Sequence, residues 1–95
     1  MGKLFVIDGT DGSGKQTQLG KLKERLTKEG VEYRTVSFPN YDSPSSSLVK
    51  MYLSGEFGKN AKDVSPYIAS TFFAADRYAT FQTGYKEYYE NGGII

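Results

Sequence analysis

Residues 9–15 read Gly9-Thr10-Asp11-Gly12-Ser13-Gly14-Lys15, a match to the spacing G-x-x-x-x-G-K. Glycines let a backbone turn so that successive N–H groups point inward at an anion. A helix starting directly behind adds its positive dipole end, and a lysine at the loop's end supplies a mobile full charge for outer phosphates. The flanks suit such a cradle. Residues 3–8 (KLFVID) form a short continuous apolar run ending at a carboxylate, which predicts a buried parallel strand. Leu19, Leu22 and Leu26 fall at i, i+3 and i+7 and predict a helix over about 15–29, with Gly30 as its left-handed C′ residue. Residues 32–37 (EYRTVS) predict a second strand, closed by Phe38-Pro39. Strand, loop, helix and strand make a βαβ unit of about 35 residues, so the fold class is α/β with a parallel sheet flanked by helices.

The loop departs from the commonest pattern at one place. Magnesium is usually held by a Ser or Thr directly after the lysine; here that position is Gln16, with Thr17 one residue later. Gln16 offers a neutral amide oxygen and Thr17 a hydroxyl, and the ligand is left open between them. Asp11 is a carboxylate within a loop built for anions. It either points outward or caps the helix, or it faces a second ligand through hydroxyl hydrogen bonds. Asp8, at the strand end, is a further candidate for bonding the helix or the loop.

Beyond Pro39 a polar stretch, residues 40–47, leads to Ser43-Pro44, an N-cap followed by proline at the first helical position. A short helix through about Ser54 follows, stopped by Gly55 and Gly58. Ser65-Pro66 repeats the start signal and opens a long helix to about Glu90. Its apolar stripe is Ile68, Phe72, Ala75 and Ala79, continued by Phe81, Tyr85 and Tyr88. Gly92-Gly93 ends that helix, and Ile94-Ile95 begin a third strand. Phe73 and Arg77 stand at i and i+4 on the long helix and share a face. A ring beside a planar donor fork suits a nucleobase, although an aromatic stripe on a helix is usually core and an arginine four residues on is usually solvated or paired with Asp76 or another carboxylate.

Composition narrows the chemistry. The 95 residues carry 12 Lys+Arg against 11 Asp+Glu, a net charge of +1, so a general attraction to nucleic acid or anionic membrane is not expected. His and Cys are both absent, which excludes disulfides, Cys or His zinc sites and Ser-His or Cys-His catalytic pairs within this chain. The longest apolar run is residues 4–7, and no leader-like start is found, so a cytoplasmic location is expected. At 10.6 kDa the chain is one small domain or a piece of a larger one.

Taken together the segments resemble the thymidylate kinase family of P-loop nucleoside monophosphate kinases. The carriers are the loop with its trailing Gln16-Thr17-Gln18, the Phe38-Pro39 pair, and Phe73-Ala74-Ala75-Asp76-Arg77-Tyr78, which resembles an F-x-A-[ND]-R-[WY] signature. The resemblance implies a P-loop NTPase fold, with the first two strands, three helices and the start of the third strand present. It implies ATP-dependent phosphorylation of dTMP to dTDP with Mg2+, in a cytoplasmic homodimer. Gly9, Thr10, Asp11, Gly12, Ser13, Gly14, Lys15, Gln16 and Thr17 would hold the ATP phosphates, with Lys15 catalytic. Asp11 would bind the sugar 3′-hydroxyl of dTMP. Phe38 and Pro39, joined by a cis bond, would shape the thymine pocket with Leu53, while Phe73 stacks on the base and Arg77 bonds its carbonyl edge. Gly12 stands where some members carry a loop arginine, and Tyr41 where some bind the monophosphate with one. Members are much longer, so residues 1–95 are expected to form an N-terminal part of the kinase domain, inactive alone. The alternatives are a kinase for another deoxynucleoside monophosphate or a nucleoside, and a non-catalytic nucleotide-binding fragment. A GTPase-type switch is set aside because no Asn-Lys-x-Asp occurs.

Overall fold

The computed structural model describes residues 1–10, 12–60 and 62–95. Its helices are α1 (Lys15–Lys28), α2 (Ser47–Leu53) entered through a 3-10 turn (Pro44–Ser46), α3 (Pro66–Gly84) and α4 (Lys86–Glu90). None of the described helices is long and apolar enough to cross a membrane. The chain divides into two compact units: Met1–Thr35 with Glu87–Ile95, and Val36–Lys86.

In the first unit α1 begins at Gly14 and ends as its sequence demands. Gly30 takes φ 72°, its N–H donates to Thr27 O (3.1 Å), and the Val31 N–H reaches Leu26 O (2.9 Å). That is the Schellman arrangement, which satisfies carbonyls that the last helical turn leaves without partners. The two chain segments at the start and end of the unit then meet. Lys3 N–H donates to Gly93 O (3.1 Å), Ile95 N–H to Lys3 O (2.9 Å) and Phe5 N–H to Ile95 O (2.8 Å); Lys3 and Ile94 form a parallel bridge. On the other side, Arg34 N–H donates to Ile94 O (2.9 Å). Residues 93–95 therefore bond to both the first and the second predicted strand segments. The Arg34 guanidinium lies over the Tyr88 ring, 4.1 Å from its centroid.

Two strand expectations need correction. Among the described residues no extended strand forms over 3–8 or 32–37; pairing stops at the single bridge. The run expected to be buried is instead open: Leu4 is 54%, Phe5 63%, Val6 79% and Ile7 42% exposed.

The second unit is built on α2 and α3. Ser43 and Ser65 cap as expected, Ser65 Oγ accepting from Ile68 N–H (3.2 Å) and Ser43 Oγ from Ser45 N–H (3.3 Å). Val49 and Ala69 are buried, and Tyr52, Phe57, Phe72 and Phe73 cluster around them with ring centroids 5.6–6.3 Å apart. The packed face of α3 is Ala69, Phe72, Phe73, Asp76 and Thr80, rotated from the predicted stripe, of which Ile68 and Ala75 are exposed. The rotation arises because two polar side chains, Asp76 and Thr80, find partners inside. The predicted single helix to Glu90 is also interrupted. Gly84, a poor helix former, closes α3, and Tyr85 leaves helical geometry (φ −132°, ψ −19°) before α4 resumes.

Gly2 sits where the first unit closes, donating its N–H to Tyr89 O at 2.7 Å. A Cβ there would collide with the Gly93 carbonyl and stand 2.7 Å from Tyr89 O. Gly2→Ala is expected to lower stability by about 1–3 kcal/mol, the usual range for overpacking. Chemical denaturation checks this, and an unchanged midpoint contradicts the close approach.

Candidate functional site

The loop of the first unit is shaped by backbone rather than by side chains. Gly12 and Gly14 take φ 79° and 88°, left-handed values that cost other residues about 1–2 kcal/mol. Gly9 serves differently: a Cβ on it would stand 2.6 Å from Ser13 Oγ, so a larger residue would require the Ser13 side chain to move. Asp8 Oδ1 accepts from Gly9 N–H (2.8 Å), and Ser13 N–H donates to Thr10 O (3.1 Å). The Asp8 bond is the loop contact that the sequence suggested. Lys15 Nζ donates to Gly9 O at 3.0 Å, folding the lysine back across the loop. Gly14 is the N-cap of α1 and supplies no side-chain acceptor to the helix's first N–H groups. Gln16 and Thr17 stand exposed in the first helical turn. Asp11 lies outside the described residues.

The second unit holds the other expected residues. Phe38-Pro39 is a cis bond, as expected. Phe38 is partly exposed, Pro39 half-buried, and Leu53 exposed at the C-terminal end of α2. Phe73 is half-buried, edge-on to Tyr52 at 6.3 Å. Arg77 is exposed and makes no hydrogen bond or ion pair among the described residues. Tyr41 is half exposed, its N–H bonded to Pro39 O (3.1 Å).

Sequence reasoning missed the centre of this unit. Asp76 is 1% exposed, yet it does not pair with Arg77. Its Oδ2 accepts from the Asn40 backbone N–H (2.8 Å) and its Oδ1 from Ser45 Oγ (2.6 Å). Thr80 Oγ1 stands 3.5 Å from the same Oδ1 and accepts from Asn40 Nδ2 (3.3 Å). The available signal was a carboxylate seven residues after Ala69 and four after Phe72, on the face that packs. Consecutive helical residues point about 100° apart, which is how Asp76 faces inward while Arg77 faces out.

Similarity to known proteins agrees with these features. The family model described as "Thymidylate kinase" matches residues 7–95. The chain belongs to the thymidylate kinase family. Membership implies a P-loop NTPase fold. A thymidylate kinase of Mycobacterium tuberculosis is 36% identical over 81 residues, covering 84% of this chain and 37% of the relative. The Homo sapiens thymidylate kinase is 31% identical over 77 residues, 81% of this chain and 34% of its own length. That of Schizosaccharomyces pombe is 28% identical over 86 residues, 90% and 39% respectively. The chain thus spans about a third of the length of the curated relatives it matches. No solved structure matches it significantly.

Removing the Asp76 carboxylate leaves a buried Asn40 N–H and a Ser45 hydroxyl without their acceptor. Asp76→Ala is expected to lower the unfolding free energy by about 2–3 kcal/mol, since hydrogen bonds to a charged group are lost in a buried place. Urea titration measures it, and a loss under about 0.5 kcal/mol, the range of ordinary surface substitutions, would contradict the network.

Proposed function

We propose that this chain carries the ATP phosphate loop and the dTMP pocket of a thymidylate kinase, transferring the ATP γ-phosphoryl group to the 5′-phosphate of dTMP. The observation that carries the reading is the loop: left-handed Gly12 and Gly14, Lys15 folded across it, and an uncapped helix start behind it, in a chain of this family. Phosphoryl transfer asks the protein for positioning and charge neutralisation. Loop N–H groups and the Lys15 ammonium hold the phosphates, with Lys15 exchanging its bond to Gly9 O for a phosphate oxygen. Phe73 stacks on thymine, Arg77 bonds its carbonyl edge, Phe38, Pro39 and Leu53 line the pocket, and Asp11 binds the sugar 3′-hydroxyl. The Arg77 fork, exposed and without an ion pair among the described residues, supports its role.

Magnesium is tested by the donor set. Among the described residues no group of three or more Asp, Glu, His or Cys could hold a metal alone. Mg2+ accompanying a nucleotide needs only one or two protein oxygens beside phosphates and water, and Gln16 and Thr17 offer one neutral oxygen each. The residues fit a magnesium–nucleotide complex, in which the ion neutralises charge on the phosphate oxygens.

Residues 1–95 are read as part of one P-loop kinase domain, in which residues 3–8, 32–37 and the segment from 93 onward belong to a parallel sheet with helices on its faces. The parallel bridge and the bonds on both sides of 93–95 support this. The family reading adds a cytoplasmic homodimer, with neither nucleic acid nor membrane as partner.

Lys15→Ala is expected to weaken ATP binding at least about tenfold, the loss of roughly one charge-assisted hydrogen bond; calorimetry measures it, and equal affinities would sink the loop assignment. Phe73→Ala in the full-length protein is expected to remove about 1–3 kcal/mol of stacking. Steady-state kinetics with dTMP against other monophosphates check this. Lower stability with unchanged substrate preference would make Phe73 a core residue only.

A further inference from the structure

Asp76 is the only charged side chain buried among the described residues, and nothing in the reaction as described uses it. A site needing only stability is usually served as well or better by an apolar residue of similar size. What a carboxylate adds is direction, because its partners must arrive along its lone pairs. Those partners come from separate places. Asn40 directly follows the cis Phe38-Pro39 bond, and its captured N–H fixes where the Pro39-Asn40 peptide lies. Ser45 belongs to the 3-10 turn that enters α2, the helix ending at Leu53. Asp76 itself stands on α3 between Phe73 and Arg77. One side chain thereby ties together the three segments that carry Phe38, Pro39, Leu53, Phe73 and Arg77.

Both carboxylate oxygens are also occupied. Asn40 takes Oδ2, while Ser45 takes Oδ1, with Thr80 at 3.5 Å. Arg77, about 100° round the helix from Asp76, stays exposed without an ion pair among the described residues.

We propose that Asp76 is a positioning residue of the monophosphate pocket, holding the Phe38-Pro39-Asn40 turn and the entry to α2 against the α3 face that carries Phe73. The inference rests on the reading given under Proposed function. Asp76 does not touch the ligand; it sets the distance between the residues that do.

The test uses the full-length protein and compares Asp76→Ala, Asp76→Asn and Ser45→Ala. The readouts are KM for dTMP, KM for ATP, kcat and the unfolding midpoint. Asp76→Ala is expected to raise KM for dTMP at least about tenfold and Ser45→Ala about threefold, with KM for ATP changed less than about twofold in each. Asp76→Asn is expected to recover most of the dTMP KM. Its amide oxygen can accept from Asn40 N–H while its NH2 donates to Ser45 Oγ, whose own proton turns to Ser43 or Thr80. A merely structural residue would lower the folded fraction, reducing kcat while both KM values hold. If Asp76→Ala fails to fold, Ser45→Ala still decides, because it removes the hydroxyl's bonds to Asp76, Ser43 and Thr80 but no buried charge. Unchanged KM for dTMP in Ser45→Ala, with the unmutated protein active, overturns the proposal alone. An unmutated protein that neither binds dTMP by calorimetry nor phosphorylates it overturns the functional reading, and this proposal with it.

Discussion

A carboxylate taken almost wholly out of water must be answered by hydrogen-bond donors, or the fold that buries it is lost. In the second unit that condition falls on Asp76, and the answer comes from a backbone amide 36 residues away and a serine hydroxyl 31 residues away. The apolar contacts around it are modest. Val49 and Ala69 are the only hydrophobic residues fully buried among those described, so the aromatic cluster of Tyr52, Phe57, Phe72 and Phe73 packs beside a polar centre rather than forming a large oily one. Directionality then matters more than area. The helix, the cis turn and the entry to α2 have one mutual arrangement that satisfies the carboxylate, and every described side chain expected around thymine hangs from that arrangement.

The loop of the first unit is organised differently, by backbone rather than by a buried side chain. Gly14 occupies the N-cap position where Ser, Thr or Asp would have consumed an N–H. Among the described residues Lys15 Nζ is bonded to a carbonyl oxygen, a neutral partner, which the proposed reading has it exchange for a phosphate oxygen.

Legibility in the sequence followed the range of the interactions. Caps, turns and glycine positions are decided within a few residues, and Ser43, Ser65, Gly30 and the loop glycines could be read directly. The α3 face was misread because the stripe was counted from apolar residues, whereas Asp76 and Thr80 pack inward through partners near residue 40 that spacing along one helix cannot reveal. Segments 3–8 and 32–37 read as strands from composition, but a strand exists only through its neighbour, and among the described residues pairing is limited to a single bridge. The i, i+4 relation placed Phe73 and Arg77 on one face, while their assignment to the base came from the family signature. That Asp76 faces inward depends on contacts distant in sequence.

The bridge between Lys3 and Ile94 carries a consequence for the order of assembly. Its partners are separated by 91 residues (94 − 3), whereas the Asn40–Asp76 contact spans 36. By loop-closure entropy alone the longer closure costs only about 0.8 kcal/mol more, a small equilibrium difference. Kinetically the contrast is larger, since contacts distant in sequence form late. During synthesis, Val36–Lys86 emerges complete before residues 93–95 exist. The polar centre around Asp76 can thus be assembled while residues 3–7 still wait, their apolar side chains facing solvent, for the segment that bonds to them.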